Sequence, residues 1–242
     1  MLDEPSLREV VVVDSASGDG SVDYLRQAFS DGRVRVIESP SNRGFGAAVN
    51  LGVRECEADL LLILNSDATV SPGSLPRLVD LLLSDPSVGV VAPAVYGPDG
   101  RLQPGAYGRL PRRRDLFSSR GWVRRDADDP RQSVSPGWIS GVAMLLRRED
   151  FVGLGGFDER FTMYLEDVDL CRRLRAAGRS VRREPAAAVV HRGGQSWASG
   201  HDQRARFHES KLRYFETLGS TRFELGCVRL AARLRTGSGA GR

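Results

Sequence analysis

The first ninety residues alternate unbroken apolar runs with amphipathic stretches. Val10 to Val13, Val34 to Ile37, Leu60 to Leu64 and Val88 to Val91 read as strands buried on both faces. Between them, Ser21 to Phe29, Ala47 to Glu55 and Ser74 to Leu83 carry helical spacing, clearest in Leu75, Leu78, Val79 and Leu82 behind Pro72. The order is βαβαβαβ, which predicts a parallel sheet with right-handed crossovers.

After Tyr96 the pattern changes. Gly97 to Gly100 read as a turn, and Gln103 to Pro136, rich in Arg, Pro, Gly and Asp without periodicity, reads as a mobile excursion. Trp138 to Leu146 reads as one apolar strand and Arg148 to Val152 as a short helix. Asp167 to Ala177 reads as a helix with acids at its start, arginines at its end and Gly178 as its cap. Ala187 to Val190 is a short strand. After a Gly- and Ser-rich loop, Arg204 to Leu218 and Arg222 to Leu234 read as two helices before a disordered tail.

The chain has 242 residues, enough for a continuous core, and its apolar content is that of an ordinary globular protein. No run approaches the roughly 20 apolar residues of a membrane span, and no leader-type apolar segment opens the chain. Cys56, Cys171 and Cys227 stand far apart with no CxxC pair, which argues against a zinc module or disulfide framework and for a reducing compartment. A cytoplasmic protein, free or peripheral on the inner face of the membrane, is expected. The net charge of +4 is an arginine charge, because Lys211 is the single lysine. Since Lys211 follows Glu209 and Ser210, there is no GxxxxGK[ST] loop, which excludes a P-loop ATPase or GTPase.

In an open α/β sheet ligands collect beyond the carboxyl ends of the strands, so the residues following each apolar run are the candidates for chemistry. They are Asp14, Ser15 and Ser17; then Asn42, Arg43, Gly44 and Gly46; then Asn65 and Asp67; and His191. Each also has a plainer reading. Asp14, Ser15 and Ser17 can simply close a turn. Gly44 and Gly46 lack the third glycine of a dinucleotide fingerprint. Asp67 can be a helix-start acid or a cation ligand at a strand rim, and a histidine such as His191 is commonly a satisfied surface group. The segment GGFDERFTMYLEDVDLCRR is the strongest signal: Glu166, Asp167 and Asp169 suit a helix start, yet Phe157, Phe161 and Tyr164 lead them out of an apolar setting, where a carboxylate acquires the raised pKa of a general base.

Taken in order, VVVDSASGDGS, SNRGFGAAVNLG, LLLILNSDA, WISGVAMLLRREDFVGLGGFDERFTMYLEDVDLCRRL and VVHRGGQS resemble the family 2 glycosyltransferases, especially the bacterial rhamnosyltransferase-like branch, over residues 9 to 197. The resemblance implies an α/β GT-A (nucleotide-diphospho-sugar transferase) fold, with a mostly parallel, Rossmann-like sheet flanked by helices. It further implies a nucleotide-sugar donor such as dTDP-rhamnose, a divalent metal (Mg or Mn), an inverting transfer to a glycan or polyprenyl-linked acceptor, and no nucleic-acid partner. Residues 1–218 form the transferase domain on this reading, with 1–95 as donor-binding half and 96–218 as acceptor and catalytic half, while 219–242 hold a basic amphipathic helix and tail. Asp14, Ser15, Asn42, Arg43, Gly44, Asn65 and Asp67 are carried over as donor-side residues, and Asp67 and His191 as metal ligands. Asp167 is carried over as the base with Glu166 beside it, and Trp138, Ser140 and Gly141 as the acceptor side.

Two points qualify the resemblance. Asn65 stands where the family's DxD-like motif usually has Asp, which throws weight onto Asp67 and His191. The family also normally begins with a further strand and helix ahead of Val10 to Val13, so residues 1 to 9 read as the end of a helix and its loop in a shortened chain. A catalytically silent nucleotide-sugar-binding or scaffolding relative is the alternative. The apolar and arginine residues of Arg222 to Arg235 suit either packing on the domain or lying on anionic lipid.

Overall fold

A computed structural model describes residues 7–29, 32–117, 135–193 and 200–237. The unbroken apolar runs form strands where expected. β1 (Val10–Asp14) and β2 (Val34–Glu38), linked by α1 (Ser21–Ala28), pair in parallel from Val10↔Val34 to Asp14↔Glu38. α2 (Phe45–Arg54) lies on β1, and Gly52 permits the approach, since a Cβ there would stand 3.2 Å from Val13 Cγ2.

The main sheet has five strands. β3 (Leu60–Leu64) and β4 (Ala68–Val70) precede α3 (Ser74–Ser84) and β5 (Val88–Tyr96); β8 (Ala143–Arg147) and β9 (Ser180–His191) come later. Their spatial order is β3-β8-β5-β9-β4. β8 runs antiparallel between β3 and β5, while β5 and β9 are parallel, so β3, β5 and β9 share one direction. The sheet therefore departs from an uninterrupted parallel succession: β3 and β5 are co-directional without touching, and β1 with β2 makes a separate ladder among the described residues.

β5 is buried along its length because helices cover both faces. Leu75, Leu78 and Leu82 of α3 pack with Val88, Val91 and Leu145 on one side. On the other, Val90, Met144 and Leu146 join Leu170 and Leu174 of α5 (Glu166–Ala176), with Tyr214 and Phe215 of α6 (Gly200–Thr217) and Leu225 of α7 (Arg222–Gly237) completing the core. α5 has the charge order that the sequence suggests: Glu166, Asp167 and Asp169 in its first turn, Arg173 and Arg175 in its last, and Gly178 at φ 80° beyond it.

Four expectations need correction. Trp138 to Leu146 is two strands, β7 (Trp138–Ile139) and β8, separated by a turn at Ser140 to Val142. β9 begins seven residues earlier than its apolar run, because Arg183 is fully buried with its guanidinium 4.8 Å from the Tyr107 ring centroid. The described part of the supposed mobile excursion is structured: β6 (Tyr107–Gly108) pairs with β7, and a short 3-10 helix spans Arg113–Phe117. There Arg109 makes a bidentate ion pair with buried Asp115 at 2.7 and 2.8 Å, which holds that carboxyl below its usual range. Finally, β4 had no counterpart in the sequence reading. Residues 1–6, the 118–134 part of the excursion, the loop at 194–199 and the tail at 238–242 lie outside the described residues.

Candidate active site

The turn between β7 and β8 organises the site. The Val142 carbonyl accepts the Asn65 N–H at 3.0 Å, fixing the loop that leaves β3, while the Gly141 N–H donates to Asp167 Oδ2 at 2.9 Å. Adjacent residues of one turn thus tie together the two loops on which the sequence reading placed cation and base. Gly141 is needed here, since a Cβ would come 3.0 Å from the Phe45 ring at the start of α2. Ser140 Oγ accepts the Val142 N–H at 3.3 Å, closing the turn on itself.

Asp167 and Glu166 differ in environment. Asp167 accepts N–H bonds from Gly141 and, at 2.7 Å, from Val168; burial pushes its carboxyl up, and these two donors pull it back down. Glu166 is 7% exposed, and its Oε2 has no hydrogen-bond partner among the described residues. Burial first, and then the Asp167 charge, raise its pKa from 4.5 to about 8. Burial thus raises both carboxyls of the pair, and the two N–H donors favour the charged form at Asp167, whereas Glu166 has no such donor on Oε2. Tyr164 and Leu165, just before them, are held at φ 69° and 68°, an uncommon conformation for bulky residues that turns the chain sharply into α5.

On the other side of the turn, Asp67 Oδ1 lies 3.1 Å from His191 Nε2, and Asp67 Oδ2 accepts the Gly193 N–H at 3.1 Å. Gln103, which sequence reasoning missed, sets the imidazole. Its amide nitrogen donates to the His191 carbonyl at 2.8 Å, which turns its amide oxygen to His191 Nδ1, also at 2.8 Å. With Nδ1 turned to the Gln103 oxygen, Nε2 is the nitrogen that faces Asp67. A carboxylate and an imidazole nitrogen at that separation are a donor set suited to a divalent cation. Among the described residues no third His, Cys, Asp or Glu joins them, so water and substrate oxygens would complete such a site. The Asn65 amide stands 3.4 Å from Nε2 rather than adding a carboxylate.

The remaining donor-side residues assemble unevenly. Asn42 Oδ1 accepts the Gly44 N–H at 3.0 Å, and Gly44, at φ 95°, lets α2 begin directly against the Thr162 carbonyl. Arg43 pairs with Glu159 at 2.7 Å, while Asn50 bonds Glu159 Oε1 and both the N–H and the carbonyl of Phe157, lacing the 157–162 loop to α2. Asn50 and Glu159 are further residues that sequence reasoning missed. Asp14 caps its own turn by accepting the Ser17 N–H at 2.9 Å, with Ser15 half-buried beside it; its carbonyl accepts the Ser39 N–H, which links it toward the Asn42 loop. Trp138, next to Ser140 and Gly141 in sequence, is only 4% exposed and packs in the main core.

The α/β sheet flanked by helices is that of the GT-A glycosyltransferases. The chain belongs to glycosyl transferase family 2, whose family model matches residues 2–154. It is 33% identical over 205 residues to the N-acetylglucosaminyl-diphospho-decaprenol L-rhamnosyltransferase of Mycobacterium tuberculosis, covering 75% of this chain and 66% of that protein. It is 40% identical over 78 residues to rhamnosyltransferase WbbL of Escherichia coli, covering 32% and 30%. The chain thus spans about two thirds of the length of the mycobacterial relative, and less of others. Among solved structures, GalNAc-T7 with UDP, GalNAc and Mn2+ superposes with a TM-score of 0.62 at 17% identity, over 85% of this chain and 42% of that one. The Pyrobaculum calidifontis mannosyltransferase PcManGT, with GDP-Man and Mn2+, gives 0.59 at 22% identity, over 97% and 67%. These likenesses establish the shared fold.

Proposed function

We propose that the protein transfers L-rhamnose from dTDP-rhamnose, with inversion at the anomeric carbon, to N-acetylglucosamine carried on a polyprenyl diphosphate in cell-wall polysaccharide synthesis at the cytoplasmic face of the membrane. The observation that carries the reading is that one turn, residues 140–142, bonds both the Asn65 N–H, two residues before Asp67, and the Asp167 carboxylate. The names of the mycobacterial and E. coli relatives support the sugar and acceptor class.

In this reading an Asp167 oxygen takes the proton of the acceptor hydroxyl as that oxygen attacks the anomeric carbon, opposite the donor diphosphate. The bond from the anomeric carbon to the diphosphate breaks, and its electron pair leaves with the nucleotide; one displacement gives inversion. Glu166, its pKa raised to about 8, keeps its proton near neutral pH and leaves the proton-accepting role to Asp167. Asp67 and His191 Nε2 would hold Mg or Mn, which when bound neutralises charge developing on the departing diphosphate. Asp14, Ser15, Asn42, Arg43 and Gly44 would line the nucleoside end of the donor, and Ser140 with Gly141 the acceptor side.

The test is a donor panel of dTDP-rhamnose, UDP-GlcNAc and GDP-mannose, offered with a synthetic polyprenyl-diphosphate-linked N-acetylglucosamine, with and without Mn2+. A product heavier by one deoxyhexose, formed only with dTDP-rhamnose and Mn2+, is the expected result. Tight nucleotide binding with no donor consumed would replace the proposal by the silent-relative reading.

A further inference from the structure

We infer that α7, together with the 3-10 helix beside it, forms a docking surface for an anionic phospholipid membrane. α7 is fixed on the domain at its start. Thr221 and Glu224 cap it reciprocally, at 2.7 Å from the Thr221 N–H to Glu224 Oε2 and 3.2 Å from the Glu224 N–H to Thr221 Oγ1. Glu224 also pairs with Arg113 at 2.7 Å, joining the helix to Arg113–Phe117, and Leu225 and Val228 turn inward onto the core. With its inner face settled, the outward face is defined.

That outward face is apolar. Phe223 is 80% exposed and Leu230 60%, with exposed Cys227 between them, so they fall at i, i+4 and i+7 on one stripe. Phe117, 66% exposed, stands at the end of the 3-10 helix. Isolated exposed apolar residues are ordinary; a row on one helix with a second aromatic on the element clamped to it is not. Exposed Arg222 and Arg229 run along one flank of the stripe, Arg229 keeping a half-exposed pair with Glu216 at 3.5 Å, and exposed Arg112 and Arg114 lie beside Arg113. Apolar wedges edged by arginines match a surface with an apolar interior and an anionic skin. A second copy of the chain fits less well, because a stable interface needs about 800 Å² from each partner and arginines on both sides would repel. Among the described residues no helix is long and apolar enough to cross a membrane, so the contact is one that lies on the surface.

The inference stands apart from the choice of donor and acceptor. The full chain is sedimented with phosphatidylcholine vesicles and with vesicles carrying phosphatidylglycerol, alongside the triple variant Phe117→Ser, Phe223→Ser, Leu230→Ser and the double variant Arg222→Gln, Arg229→Gln. All five side chains are exposed, so thermal melting should be unchanged in both variants. Partitioning is expected to be at least tenfold stronger onto phosphatidylglycerol vesicles. It should fall about tenfold or more in the triple variant, fall about fivefold or more for the arginine pair, and weaken with salt. Equal partitioning of wild type and triple variant, absence of binding to anionic vesicles, or concentration-dependent dimerisation abolished by the triple variant would each overturn it. Transfer to a soluble acceptor should be retained by both variants.

Discussion

Glu166→Gln isolates the electrostatics of the carboxylate pair. In the folded protein Glu166 keeps its proton up to about pH 8, whereas in the unfolded chain it ionises near its ordinary value of 4.5. Between those values the unfolded state has released a proton that the folded state retains, so this group makes stability fall as pH rises. The slope is about 1.4 kcal/mol per pH unit. Gln at this site resembles the protonated acid in shape and has no such slope. Wild type and variant should therefore unfold within about 1 kcal/mol of each other near pH 5. By pH 8 the variant should be more stable by roughly 4 kcal/mol, which for a chain of this length corresponds to about 10 °C in midpoint. Urea titrations followed by tryptophan fluorescence at several pH values from 5 to 8 measure the difference directly. A gap that stays flat across this range, or that widens toward acid, would refute the raised pKa of Glu166.

Other substitutions address other parts of the site. Asp167→Asn should lower kcat by about 10²–10⁴ while leaving nucleotide-diphosphate affinity within about twofold; near-native turnover would remove Asp167 as base. Gln103→Leu should weaken Mn2+-dependent nucleotide binding by about 10–100-fold in titration calorimetry, and Gln103→Glu, which keeps an acceptor for Nδ1–H, should weaken it far less. Equal losses in the two would mean that Gln103 merely fills space. Gly44→Ala places a Cβ 1.9 Å from the Thr162 carbonyl oxygen at a φ of 95°, so it should destabilise by at least about 3 kcal/mol. A wild-type melting curve for that variant would show that α2 and the 157–162 loop part without cost.

β1, β2, β3 and β5 were legible because each is a mainly apolar run, and Leu60–Leu64 is recovered to the residue, although β1 and β2 are only partly buried; three-residue β4 carries no such run. β9 was legible only at its end. Its first half carries Arg182, Arg183 and Glu184, and a buried arginine satisfied by an aromatic face has no signature in a pattern of apolar positions. The break between β7 and β8 was hidden for the opposite reason: Gly141 and Val142 prolong an apolar run across a turn. Asp67, Asp167 and His191 could be singled out as candidates because they follow strands or open a helix. Gln103 was not, because its value lies in a ring 88 residues away, reached only when β5 and β9 pair. Asn50 likewise faces its partners 107 and 109 residues onward.

The turn at residues 140–142 has a last consequence. Because successive residues grip the exit of β3 and Asp167, the proposed base, a shift of one should drag the other. Anything that displaces the nucleotide-facing loop should retune proton abstraction in the same stroke. Attempts to redesign the enzyme for a new sugar by altering one rim alone should therefore lose turnover before they gain selectivity, and compensating changes should be sought at Ser140 and Phe45, the turn's own supports.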